Sequence, residues 1–139
     1  QVLGAPVITA PAALIARLQS VDARRIALVS PYPAPLMEAA VRWWRGQGFE
    51  VVHQGGVDIH SQDTVHIYDL QSADAWAALR TLDLGRAEAL VLSGTGMPSL
   101  PIIDRACAHF GVPVFSSNLA LAHAGLQRLG LAPVHFDRS

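Results

Sequence analysis

Four short aliphatic runs that alternate with longer segments of helical periodicity constrain the fold of this chain more than any other feature. The run at residues 25–30, RIALVS, is β-branched and aliphatic and too short for a helix, which is typical of a strand covered on both faces. The runs predict strands at residues 25–30, 49–54, 89–93 and 112–116.

Five segments with helical periodicity and suitable end residues lie around these runs. They predict helices at residues 11–19, 34–46, 72–82, 100–110 and from 117 or 118 to 129. Hydroxyl and amide side chains favour helix starts, and glycine favours helix ends. The expected caps are Thr9, Ser72, Ser99 and either Ser117 or Asn118, and the expected end residues are Gly46 or Gly48, Gly111 and Gly130.

Strands separated by helices imply βαβ crossovers and therefore a parallel sheet with helices on both faces. A length of 139 residues with 51% hydrophobic and 15% charged residues suits one packed domain and excludes a disordered chain. We therefore predict a single doubly wound, flavodoxin-like α/β domain over residues 1–139, with the order of its four strands left open. Gly55 and Gly56 are expected to open a polar loop, and residues 64–70 fit either a short strand or a loop.

The charged residues and the single cysteine exclude several functional classes. The 10 basic residues are all Arg and face 11 acidic residues without forming a basic run, so neither nucleic acid nor a membrane is an expected partner. The absence of Lys excludes Schiff-base chemistry and a P-loop. A lone Cys107 excludes an intrachain disulfide framework and a multi-cysteine zinc site. No apolar stretch suits a membrane span or a signal core, so a cytoplasmic protein is expected.

Three predicted strands end in turns that carry hydroxyl groups just before a helix. In parallel sheets, ligands bind at these carboxyl ends, and helix N-termini favour anions. Since the turns contain no Arg and the chain no Lys, a carboxylate is the expected ligand. For any single Ser, however, helix capping is the more common role. The candidate ligand-binding residues are Ser30, Tyr32, Ser93, Gly94, Gly96, Ser116, Ser117 and Asn118.

Gly94-Thr95-Gly96 begins like the dinucleotide-binding pattern GxGxxG, but the rest of the pattern is absent. Ser99 occupies the third glycine position, and the following strand ends in serines, with no acid for a ribose. The sequence therefore disfavours nicotinamide binding. Flavin binding suits the fold class, but no phosphate loop or aromatic clamp supports it. No cofactor is expected.

Other reactive or aromatic residues favour structural roles. Asp58, His60 and His66 could be arranged around a metal, but no helical ligand spacing supports that, so loop histidines are favoured. Cys107 lies mid-helix, which favours a buried inert thiol over a nucleophile. The pair Trp43-Trp44 lies at core spacing on a helix, which favours packing against the sheet or a missing partner.

Several segments follow one another in a pattern typical of a known family: PVITAPAAL, RIALVSPY, GFEVV, ALVLSGTGMPSLPIIDRACAHFGVPVFSSNLAL and LQRLG. Together they resemble the second half of the aspartate/glutamate racemase superfamily, and within it the branch of maleate isomerase and arylmalonate decarboxylase. The resemblance runs from Gly4 to Gly130.

The resemblance implies a cofactor-independent enzyme built from two similar α/β halves, with the active site between them. Its chemistry takes place at the carbon next to a carboxylate of a small mono- or dicarboxylic acid and uses cysteine thiols. Tyr32 matches a tyrosine that contacts substrate, and Ser116, Ser117 and Asn118 match the segment after the fourth strand. At the position of the family's second-half cysteine this chain has Gly94, followed by Thr95.

The missing thiol leaves three alternatives. An upstream half could supply the thiol, Thr95 or a bound water could replace it, or the protein could bind a carboxylate without converting it. A threonine hydroxyl is a poor acid or base at neutral pH, so the first alternative is favoured. The chain begins at Gln1, so a missing N-terminal half or a homo-oligomer is expected to complete the site. The competing hypotheses are therefore a half-enzyme and a non-catalytic carboxylate-binding or regulatory module.

Overall fold

The computed structural model describes residues 7–56, 72–94 and 100–132. In this part of the chain, helices and strands alternate as the sequence predicts, and the α/β fold class is confirmed. The elements are α1 (Ala10–Ser20), β1 (Arg25–Ser30), α2 (Ala34–Gly46), β2 (Glu50–Gly56), α3 (Ser72–Leu79), β3 (Ala89–Leu92), a 3-10 helix (Leu100–Ile102), α4 (Ile103–Phe110), β4 (Val114–Ser116) and α5 (Ser117–Arg128).

The four strands form one parallel sheet in the order β2-β1-β3-β4. Strand β1 lies in the interior, where Leu28 is opposite Gln54 on one side and Val91 on the other. The chain moves outward in opposite directions from the pair β1 and β3. In a doubly wound sheet this reversal opens a crevice at the carboxyl ends of the two strands, where ligands bind.

Alternating side chains on the strands separate two apolar cores, one on each face of the sheet. Ile26 and Leu28 face a first core that contains residues of α1, α2 and α5, including Leu14 and Trp44. The second core receives the intervening strand residues and packs them against α3 and α4. Its buried members include Ala27, Val29, Leu79, Ile103 and Ala106.

Several element ends confirm the predictions from residue type. The bounds of β1 and α2 are those predicted. Thr9 caps α1, because its Oγ accepts a hydrogen bond from the Ala12 amide at 3.3 Å. Gly111 ends α4 in the left-handed conformation, with φ of 69°.

Other predicted boundaries were wrong for reasons of tertiary pairing or of local hydrogen bonding. Gly55 and Gly56 continue β2 instead of opening a loop, because they pair with Val29 and Ser30 of β1. The cap of α5 is Ser116, whose Oγ accepts the Leu119 amide at 3.1 Å, and not Ser117 or Asn118. The remaining differences in the helices are one more residue at each end of α1 (Ala10–Ser20), an earlier end of α3 at Leu79, a 3-10 first turn over Leu100–Ile102 and an earlier end of α5 at Arg128. In the strands, β2 and β4 start later, at Glu50 and Val114, and β3 ends earlier, at Leu92.

Residues 64–70, Ser99 and the side chain of Ser72 lie outside what the structure describes. The alternatives for residues 64–70 and the capping roles of the two serines therefore stay predictions.

A carboxylate clamp joins the start of β1 to the start of β3 at the end of the sheet opposite the ligand-binding crevice. Glu88 Oε2 accepts hydrogen bonds from the backbone amides of Arg24 and Arg25 at 2.8 and 3.0 Å. Its Oε1 accepts a hydrogen bond from the Arg25 guanidinium at 2.9 Å. These backbone hydrogen bonds, with a smaller contribution from the Arg25 charge, lower the pKa of the Glu88 carboxyl.

We expect Glu88→Gln to lower the melting temperature at neutral pH and to flatten its decline in acid. Since folding lowers the Glu88 pKa below its ordinary value of 4.5, the clamp stabilises the protein above that value. The contribution is lost as the pH falls through the folded-state pKa. Melting curves between neutral and acidic pH measure this, with Glu50→Gln as control because Glu50 pairs with Arg86 at the surface. Equal acid profiles for wild type and Glu88→Gln would contradict the clamp.

Candidate active site

A pocket of about 320 Å³ opens at the carboxyl ends of β1 and β3, the position where the strand order reverses. Its polar side is formed by Tyr32, Ser93, Gly94 and Ser117, which come from three separate turns. Its apolar side is formed by residues of α1 and α2: Ala10, Pro11, Leu14, Ala40, Trp43 and Trp44.

The turn after β1 brings Tyr32 to the pocket. Ser30 and Pro31 are fully buried behind it, and the Ser30 Oγ accepts the Tyr32 amide at 3.4 Å. Ser30 thus shapes the turn from below, while the partly buried Tyr32 ring lies on the pocket wall.

The turn after β3 approaches the β1 turn closely because residue 94 is glycine. Gly94 has a backbone φ of +115°, a conformation that L-residues with a side chain rarely adopt. A Cβ built at Gly94 would lie 3.3 Å from Pro31 Cδ and 3.7 Å from the Tyr32 hydroxyl oxygen. The glycine therefore allows the two turns to meet and brings the Tyr32 hydroxyl beside the β3 turn.

The turn after β4 closes the polar side through Ser117, the first residue of α5. Ser117 is buried, and its Oγ accepts a hydrogen bond from the Gly94 amide, with an N···O distance of 3.2 Å. This bond engages the Gly94 amide within the protein and leaves the Ser117 hydroxyl hydrogen as a donor. The N-terminus of α5 adds a partial positive charge at the same place.

Among the lining residues that the structure describes, none is Arg, His, Asp or Glu. Three hydroxyl groups, from Tyr32, Ser93 and Ser117, line one side. Such an arrangement can hold one carboxylate through hydroxyl donors beside a helix N-terminus. It can also donate to an oxygen that gains negative charge during a reaction.

Comparison with known proteins shows the family to which the chain belongs. A family model described as arylmalonate decarboxylase matches residues 1–136 of the chain. The chain belongs to this family. Among curated relatives, maleate isomerases from Nocardia farcinica and Pseudomonas putida are 37% and 36% identical over 120 and 131 residues. These matches cover 86% and 94% of this chain but 47% and 52% of the relatives, so the chain spans about half their length.

Solved structures show the same relationship. The maleate cis-trans isomerase of Nocardia farcinica bound to TRIS superposes with a TM-score of 0.81 at 35% identity, over 90% of this chain and 50% of that one. The maleate isomerase Iso from Pseudomonas putida S16 gives a TM-score of 0.82 at 29% identity, over 91% and 50%. An arylmalonate decarboxylase with a TM-score of 0.77 is 20% identical and shares the fold, over 89% and 54%.

The structure of this family member brings four of the predicted residues together in the pocket: Tyr32, Ser93, Gly94 and Ser117. Three others lie elsewhere on the same rim. Ser30 and Ser116 are buried: Ser30 accepts the hydrogen bond of the β1 turn, and Ser116 caps α5. Asn118 is exposed on α5. Thr95 and Gly96 lie outside the described residues, so their roles stay predictions.

The apolar wall is the part of the site that sequence reasoning missed. Trp44 is buried and packs edge-to-face on Phe49 at 5.4 Å, which confirms the packing prediction. Trp43 instead is 40% exposed and lines the pocket. Its neighbours Pro11 and Leu14 carry no chemical signal in the sequence, but two adjacent tryptophans on a helix that starts at the ligand-binding rim could have suggested a wall.

Cys107 is the remaining candidate that the structure describes, and it lies away from the pocket. Cys107 is partly exposed on α4 and packs against the second core, on the opposite face of the sheet from the apolar wall. Within residues 7–56, 72–94 and 100–132, no group of three His, Cys, Asp or Glu side chains could hold a metal. Asp58, His60 and His66 fall outside those ranges. No helix of the described chain is long and apolar enough to cross a membrane.

Gly94→Ala is expected to destabilise the protein by about 1–3 kcal/mol, because it combines a positive φ with a Cβ placed 3.3 Å from Pro31. Chemical denaturation measures the loss. Gly46→Ala at the end of α2 is the matched control, since a Cβ there meets no atom within 4 Å. If both variants unfold at the same denaturant concentration, the turn is not held as described.

Proposed function

We propose that this chain is one half of a cofactor-independent isomerase or decarboxylase. The enzyme acts at the carbon next to the carboxylate of a small mono- or dicarboxylic acid. The observation that carries the proposal is that Tyr32, Ser93 and Ser117, three residues with hydroxyl groups, line one pocket at the point of strand-order reversal. Membership in a family whose relatives are named maleate isomerase supports the reaction class.

In this proposal the half-site binds and polarises the substrate carboxylate. Ser117 donates its hydroxyl hydrogen to one carboxylate oxygen, while its Oγ still accepts the hydrogen bond from the Gly94 amide. The Tyr32 hydroxyl, next to Gly94, donates to the same group or to the oxygen that gains charge. Donors that are fixed before the reaction stabilise developing negative charge without reorganisation. Thr95 and Gly96 stay candidate residues of this half-site, and Ser93, Ser116 and Asn118 support the rim.

We assign the reactive thiol to a complementary half in an upstream segment. Cys107, the single cysteine of the chain, packs against the second core. The Nocardia farcinica relative has been seen as a cysteine-to-serine variant with a covalently bound succinylcysteine intermediate, so a second cysteine carries the substrate there. A thiolate facing the hydroxyl rim would let the two halves divide nucleophile and anion stabilisation between them.

Removing single hydroxyl groups is expected to reduce turnover in the full-length protein. Tyr32→Phe and Ser117→Ala should each lower kcat/KM about 10- to 100-fold, because each removes a donor to a charged group. Steady-state kinetics with maleate and with arylmalonates measures the effect. Ser20→Ala is the matched control, since the Ser20 hydroxyl is exposed and bonds the Arg17 carbonyl. Unchanged kinetics in both pocket variants would contradict the assignment.

The position of the thiol is tested by alkylation. Iodoacetamide is expected to abolish activity in the full-length protein, and equally in its Cys107→Ser variant, because the reactive thiol lies in the other half. Saturating substrate should protect against the loss. Turnover by a protein whose only cysteine is Cys107, or loss of alkylation sensitivity in Cys107→Ser, would contradict this placement.

The second candidate function is a carboxylate-binding module without catalysis. Gly94 favours it, because a glycine stands where the family resemblance calls for a cysteine and no described lining residue is a strong nucleophile. Isothermal titration with malate, maleate, aspartate and arylmalonates distinguishes the two. Tight binding without conversion by the full-length protein selects the binding module.

A further inference from the structure

A second pocket, of about 400 Å³, lies between α2 and the edge strand β2. It shares no described lining residue with the pocket at the carboxyl ends of β1 and β3, and the proposed function gives it no role. Its residues come from one face of α2, at helical spacing, and from four consecutive positions of β2: Glu38, Val41, Arg42, Arg45, Val51, Val52, His53 and Gln54.

Two arginines of α2 give this second pocket a net positive charge. Arg42 and Arg45 lie three positions apart on the helix, so both side chains leave it on the same side. Neither forms an ion pair within residues 7–56, 72–94 and 100–132. Glu38, one turn before Arg42, also lines the pocket. Two Arg and one Glu give the described lining a formal charge of +1 when His53 is neutral.

The β2 side of the pocket combines an irregular backbone with an unpartnered nitrogen. Ile26 of β1 is opposite Val51 and Ala27 is opposite His53, so Val52 is an extra residue in β2. A bulge of this kind redirects the side chains beside it and is common near binding sites. The His53 Nε2 is buried and has no hydrogen-bond partner, which is unusual for a buried polar atom. When Nε2 carries the ring hydrogen, an anionic oxygen supplies the missing acceptor.

This set of donors suits a phosphate group better than a carboxylate. Arg42, Arg45, His53 and the Gln54 amide offer more hydrogen-bond donors than the two oxygens of one carboxylate readily engage. A phosphate monoester has three strong acceptor oxygens and carries about 1.5 to 2 negative charges at neutral pH. Guanidinium groups match its oxygens through paired N–H donors. Because a phosphate group is much smaller than about 400 Å³, the pocket also has room for the carbon skeleton of a small ester.

We propose that the pocket between α2 and β2 binds the phosphate group of a small phosphate ester, and that Arg42 and Arg45 provide most of the affinity. His53 and Gln54 donate further hydrogen bonds from the β2 side. The site is separate from the proposed carboxylate site at Tyr32 and Ser117, so each can fail without the other.

Titration calorimetry of the full-length protein with glycerol 3-phosphate, at constant ionic strength, tests the proposal. The double variant Arg42→Gln/Arg45→Gln is expected to lower the affinity about tenfold or more, because it removes both guanidinium groups. Both arginines are exposed, so this variant should fold with an unchanged melting temperature. Arg80→Gln is the matched control, since Arg80 is exposed and lines neither described pocket. Inorganic phosphate should show the same loss in the double variant.

The other outcomes overturn the proposal in distinguishable ways. If wild type and the double variant bind glycerol 3-phosphate equally, or Arg80→Gln weakens binding as much, the two arginines do not form the site. If Ser117→Ala abolishes phosphate binding and the double variant does not, the ion occupies the carboxylate pocket instead. If succinate binds as tightly as glycerol 3-phosphate, the pocket does not select phosphate. Absence of binding to wild type overturns this site and leaves the proposed function to its own kinetic test.

Discussion

The close approach of the β3 turn to the β1 turn at Gly94 is the constraint on which the whole pocket depends. Gly94, with its positive φ, lies close to Pro31 and the Tyr32 hydroxyl, and its amide donates a hydrogen bond to the Ser117 Oγ. One residue therefore joins three turns that are far apart in the chain. A side chain at this position would be strained by the positive φ and would press on the Pro31 ring.

The fold followed from the sequence wherever local pattern and burial agree. Strand β1 and helix α2 have the predicted bounds, since a short aliphatic run and a long amphipathic segment are distinct signals. The strand order was not predictable, because it depends on which runs pair over long separations. Gly55 and Gly56 show the same limit: their composition indicates a loop, but pairing with β1 extends β2 through them.

The polar side of the site was predictable and the apolar side was not. Strand-end hydroxyl groups meet at one edge in any parallel sheet, so Tyr32, Ser93 and Ser117 could be named before their distances were known. The predicted cap of α5, Ser117 or Asn118, was wrong, because the Leu119 amide donates its hydrogen bond to the Ser116 Oγ instead. Trp43 reaches the pocket only because α2 leaves a gap beside α1, a consequence of packing that no periodicity encodes.

In the proposed function, a binding rim whose described residues are uncharged suits chemistry in which charge appears late. A permanent cation at the rim would bind the ground-state carboxylate strongly, and uniform binding of this kind does not accelerate the chemical step. Fixed hydroxyl donors interact more strongly as negative charge grows on the oxygen they face, so their effect falls on the transition state. With the thiolate assigned to the other half, Gly94 fits this division of tasks. Its tight turn holds the Ser117 hydroxyl, through the Gly94 amide, at the place where the proposed reaction would develop charge.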